Sequence, residues 1–91
     1  VIRVGAKTNT NALAGCIANE LRRNEQVTVS ALGPNAVNQA VKAVATASRF
    51  LEREGAVILA RVSFFALETS DGQRTSVHFA LTVSRDPASI G

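Results

Sequence analysis

Ninety-one residues leave room for one small core and no second module, which excludes most large catalytic architectures. At 46% apolar and 19% charged, the chain carries too much burial material to be a disordered tail. Ten Lys+Arg against seven Asp+Glu give a net charge of +3, which permits a polyanionic partner but is well short of a polybasic tail.

Ile2, Val4 and Ala6 alternate with Arg3, Gly5 and Lys7, the period of a half-buried strand that ends near Lys7. Residues 8–11, Thr-Asn-Thr-Asn, can accept hydrogen bonds from the free N–H groups of a helix start, so a helix is expected from there to about Arg23. Leu13, Ile17 and Leu21, flanked by Ala14 and Ala18, form its buried stripe. Cys16 lies in an apolar stretch with no His or Lys beside it and reads as a buried structural thiol. Gly15 costs about 1 kcal/mol in a helix interior relative to Ala, which points to a close approach to its backbone, most simply by helix packing. Residues 24–26 turn the chain, and Val27, Val29 and Ala31 alternate with Thr28 and Ser30 as a second strand.

Gly33-Pro34-Asn35 breaks that strand, and Pro34 suits the first turn of a second helix because its missing N–H would be unpaired there. Val37, Ala40, Val41, Val44, Ala47 and Leu51 recur at helical spacing to Glu54, and Gly55 stops the helix. Asn35, Gln39, Lys42, Thr46, Arg49 and Arg53 form a polar, partly basic stripe on the other side, either a solvated face or a partner surface. Residues 56–68 are β-rich, residues 69–72 (Thr-Ser-Asp-Gly) signal a hairpin, and residues 75–83 alternate as the returning strand. A strand of a dozen residues spans roughly 40 Å at about 3.3 Å each. A compact domain of this size is about 30 Å across, so the hairpin tip should project.

The expected fold is α+β, a two-layer βαβαββ sandwich with a mixed four-stranded sheet and two helices on one face, formed by residues 2–85 as a single domain. Residues 86–91 read as a flexible C-terminal tail. The second sheet face has no helix to cover it, and adjacent Phe64 and Phe65 must point to opposite faces, so a second copy of the chain is the simplest cover.

The rare residues exclude more than they offer. One cysteine rules out an intrachain disulfide and a zinc ribbon and fits a reducing compartment. His78 alternates with Val77 and Phe79, so it faces away from the core as a solvated or interface imidazole with no catalytic partner. No phosphate-binding loop, dinucleotide fingerprint, nucleophile elbow or paired carboxylates occur, so no enzyme and no cofactor are expected. Nor are aromatic residues spaced along an exposed strand in the manner of RNA-binding sheets. No apolar run approaches a membrane span and no cleavable leader opens the chain, so a cytoplasmic protein without membrane contact is expected.

Ala6-Lys7-Thr8 with Asn11, then Ala14-Gly15, Glu20-Leu21-Arg22, and above all Gly33 leading into residues 38–44 (Asn-Gln-Ala-Val-Lys-Ala-Val) resemble the stage V sporulation protein S family, whose relatives belong to the Alba superfamily of nucleic-acid-binding proteins. The resemblance covers roughly residues 2–84. It implies a homodimer or higher oligomer that binds DNA or RNA with little sequence preference and serves developmental or sporulation control, with the bacterial nucleoid as a candidate location. It also implies a binding surface made by the end of strand one and the loop before helix two, with the hairpins as arms.

By position, Lys7 matches the basic residue ending strand one in Alba proteins, Asn11 an Asn at their first helix start, and Arg74 an arm arginine. Asn38, Gln39 and Lys42 belong to the motif on helix two. The sequence departs from the Alba pattern, which usually carries a pair of basic residues after strand one and more Arg in the loop before helix two: here Ala6 precedes Lys7, and Leu32 and Pro34 flank Gly33. A rival reading is a protein-interaction regulator of sporulation or septation that does not bind nucleic acid directly, its partner surface being the Asn38, Gln39, Lys42 and Arg49 stripe.

Overall fold

A computed structural model describes residues 1–85. The tail expected over residues 86–91 lies outside the described residues. The elements run β1 (Ile2–Val4), α1 (Thr10–Asn24), β2 (Gln26–Ala31), α2 (Pro34–Glu52), β3 (Val57–Thr69) and β4 (Gly72–Ser84). The four strands form one mixed sheet in the order β1-β2-β4-β3, with β1 parallel to β2 and the other pairs antiparallel, and both helices lie on one face. This is the expected βαβαββ sandwich.

β1 is shorter than the alternation predicts. The Gly5 N–H donates to Thr8 Oγ1 at 2.8 Å and the Thr8 N–H to the Gly5 carbonyl at 3.2 Å, so the chain already turns where Ala6 and Lys7 would continue the strand. Asn9 then caps α1 by accepting from the Ala12 N–H at 2.9 Å. The helix closes at Glu25, whose φ of 61° is the left-handed conformation that turns a chain out of a helix.

The core follows the strand parity. Val29 and Ala31 of β2 oppose Phe79 and Val77 of β4 and meet Leu13, Ile17 and Leu21 of α1 in one apolar cluster. The buried stripe of α2 differs from the expected one: it is Ala36, Ala40, Ala43, Ala47 and Leu51, while Val37 and Val44 are half-buried and Val41 stands 51% exposed. Small side chains face the core, so the helix is rotated to let its backbone approach the sheet and α1 closely, and the valines fall on a flank.

Cys16 is exposed rather than buried, because it lies outside the arc of Leu13, Ala14, Ile17, Ala18 and Leu21 that defines the packed side of α1. The expected close approach at Gly15 is also absent: a Cβ built there would meet no atom within 4 Å, and nothing in the structure explains the glycine. Gly15→Ala should therefore stabilise the chain by about 0.5–1 kcal/mol, read as a higher denaturant midpoint at unchanged slope. A lower midpoint would show a contact at this position that the isolated chain does not make.

Thirteen-residue strands β3 and β4 give the molecule its length, 45 × 23 × 22 Å. The two-residue turn is Ser70-Asp71, closed by the pair Thr69–Gly72 with Gly72 at φ 107°. The last rung shared with β2 is Ala31–Val77–Phe64; beyond it, residues 65–69 and 72–76 pair only with each other as a projecting arm.

Candidate nucleic-acid interface

Strand direction decides which residues share an end of the molecule. β1 and β2 run in parallel toward the end from which the arm emerges, so Val4, the loop of residues 5–9 and the starts of both helices all lie there. Lys7 is exposed in that loop, Asn11 in the first turn of α1, and Asn38 and Lys42 on the first half of α2. Arg74 is exposed on the arm opposite Leu67.

Gln39 is not a solvated member of the α2 stripe. Its Nε2 donates to the Thr8 carbonyl at 2.8 Å and so ties α2 to the residue next to Lys7, bringing together two parts of the chain that are 31 positions apart. Its role in this geometry is to hold the loop, and Thr8, read from the sequence as a helix-start acceptor and part of the Ala6-Lys7-Thr8 motif, holds it from within as well through the Gly5 bonds.

Electrostatics distinguish the two ends. Far from the arm, Arg22 makes a bidentate pair with Glu54, with its Nη2 2.6 Å from Oε2, and Arg23 pairs with Glu20. Hydrogen bonds from Arg22 hold the Glu54 carboxyl below its ordinary range, and those from Arg23 and Asn24 do the same for Glu20. At the arm end, the side chains of Lys7, Lys42 and Arg74 make no ion pair or hydrogen bond among the described residues.

Neither helix has an acidic residue in its first turn, and α2 starts at Gly33 (φ 91°) and Pro34 with no side-chain cap. Unpaired N–H groups and the positive end of the peptide dipole thus face the same side as the free lysines. Two carboxylates stand at the arm tip: Asp71 in the turn and Glu68 on the face of the arm opposite to Arg74.

The sheet face away from the helices differs from expectation in one respect. Phe65 of β3 and His78 of β4 stack on it with ring centroids 4.5 Å apart and planes 6° from parallel, so an aromatic pair does stand on an exposed strand. The sequence signal was there in the register: a turn at residues 70–71 puts Phe65 opposite Ser76 and diagonal to His78. Phe64, on the other face, remains 81% exposed.

No group of three or more His, Cys, Asp and Glu among the described residues could hold a metal ion, and no helix there is long and apolar enough to cross a membrane. The fold is similar to that of Alba from Thermoplasma volcanium, with a TM-score of 0.61 and 21% identity over 92% of this chain and 98% of that one. That likeness establishes the Alba fold independently of the motifs. Residues 1–84 match the family described as stage V sporulation protein S (SpoVS). With the motif around Asn38–Val44, the βαβαββ sandwich and the matched length in agreement, the chain belongs to the stage V sporulation protein S family.

Proposed function

We propose that the arm end of the molecule binds duplex nucleic acid through its backbone, with little sequence preference, and that the protein acts this way in developmental or sporulation control. The observation that carries this reading is the convergence, at one end, of unpaired Lys7 and Lys42, two helix starts without acidic residues and a projecting hairpin. Lys7 and Lys42 meet phosphates, Asn11 and Asn38 donate to backbone oxygens, Gln39 fixes the loop, and Arg74 reaches the groove from the arm. Such contacts position a protein on a helix and read no sequence.

A salt titration with two unrelated duplexes tests it. Lys7→Ala should weaken both equally and lower the slope of log K against log salt by about one unit; Lys42→Glu should do at least as much while shifting stability by no more than about 0.5 kcal/mol. Arg74→Ala should hurt an A·T-rich duplex more than a G·C-rich one if it enters a narrow minor groove. A native chain that binds neither duplex at low salt would sink the reading.

One set of observations favours a protein partner at the arm instead: the tip carries Glu68 and Asp71 against Arg74, and Phe64 at its base is exposed. In that case the arm variants change partner binding and leave the salt titration unmoved.

A further inference from the structure

The open sheet face carries a concavity of about 520 Å³, between β1 and the arm, lined among others by Arg3, Ser30, Phe65, Leu67 and His78. It is an open depression, with room for a small planar group laid against its wall. His78 covers one side of the Phe65 ring, yet Phe65 keeps 50% of its surface exposed, so ring area remains for a further planar group. The side chains of Arg3, Ser30 and His78 reach the same space and make no hydrogen bond among the described residues.

Register extends the pattern: Arg3, Arg61 and Arg74 all lie on this face, while no strand residue on it is acidic, and Glu68 reaches the concavity only from its rim. An aromatic platform backed by an imidazole, a guanidinium, a hydroxyl and a positive surround are the complement of one chemical class, a planar heterocycle bearing an anionic group.

We propose that this concavity seats an unpaired nucleotide: the base stacks on the part of the Phe65 ring that His78 leaves open, Ser30 meets its polar edge, and Arg3 meets its phosphate. The seat lies on the sheet face, apart from the lysines and helix starts, and adds a second, single-strand mode to the duplex reading, on whose choice of nucleic acid as ligand it rests. The same chemistry is offered by a free nucleoside monophosphate and by an unpaired residue within a strand.

The test is binding by the full chain of a labelled single-stranded eight-nucleotide RNA, a blunt duplex, and adenosine and uridine monophosphates, with Phe65→Leu, Phe65→Ala, Arg3→Gln and Lys7→Ala variants. Removing the Phe65 ring should weaken the single strand about tenfold or more, the range of one lost base stack, and leave duplex affinity within about twofold. Binding of the oligonucleotide alone assigns the seat to a nucleotide in a strand; binding of a monophosphate, lost in Phe65→Leu, assigns it to the free nucleotide. Single-strand affinity unchanged in a Phe65→Leu chain with native circular dichroism overturns the seat, as does the failure of both single strand and monophosphates to bind. Duplex binding that depends on Lys7 then stands or falls by itself.

Discussion

Light scattering on the purified chain should give about twice the 9.6 kDa of one copy, and Phe64→Glu should return it to the mass of one. The surface that demands a partner is not the whole uncovered sheet face. That face mixes Thr28, Ser30, Arg61, Ser63 and Thr82 with Leu59 and Leu67, and its one large ring, Phe65, is stacked on His78.

Val62 and Phe64 share the helix-side face of β3 with Phe79 and Val77 opposite them, yet they are 58% and 81% exposed, because the helices stop short of this edge strand. On the same side, α2 leaves Val41 exposed on the flank away from Gln39. Burying a phenylalanine is worth about 1.5–3 kcal/mol, and a two-fold interface contains it twice, so a charge at this position should weaken pairing by a hundredfold or more. A native chain that stays single at tens of micromolar removes the dimer; a Phe64→Glu chain that stays paired moves the interface elsewhere.

Leu21→Ala should cost about 2–5 kcal/mol, a large share of the roughly 5–14 kcal/mol expected for a chain of this length. Leu21 is fully buried in the last turns of α1, within the cluster that joins both helices to Val29 and Leu81, and its carbonyl accepts the Glu25 N–H that ends the helix. A cavity there has alanine-lined walls on the α2 side, whose short side chains cannot swing in to fill it. The melting temperature should fall by ten degrees or more. Val41→Ala is the control: half-exposed Val41 should cost well under half as much in the single chain. Equal costs would return α2 to the phase that its valines imply.

The two cases show where sequence was informative. Leu13, Ile17 and Leu21 are large residues at helical spacing, and only one arc of α1 can bury them, so that stripe was legible residue by residue. In α2 the signal was ambiguous because valine and alanine alternate along adjacent arcs. Hydrophobicity favours burying the valines, whereas close packing against α1 and the sheet requires the smaller residue, and packing won. The hairpin was legible from Asp71-Gly72, and its projection from strand length alone.

The candidate site was legible as a set of residue types but not as a place. Lys7 and Lys42 come to one end only because β1 and β2 are parallel and α2 starts where both strands finish. Gln39 looked like a solvated amide until its bond to the Thr8 carbonyl showed it to be a brace. The Phe65–His78 pair needed the register of the hairpin, which a sequence supplies only once the turn is fixed to the residue.

β3 has a consequence for solubility. It is the outermost strand of the sheet, so along its length one set of backbone N–H and C=O groups has no strand beside it in the single chain. Its sequence from Val57 to Leu67 is rich in branched and aromatic residues, with Arg61 as the sole charge, which is the composition that stacks into cross-β assemblies when left open. A second copy that covers Val62 and Phe64, as expected above, would also shield a template for fibre growth, with Arg61 as its gatekeeper. A chain prevented from pairing without an added charge on β3 trades a closed assembly for an open-ended one.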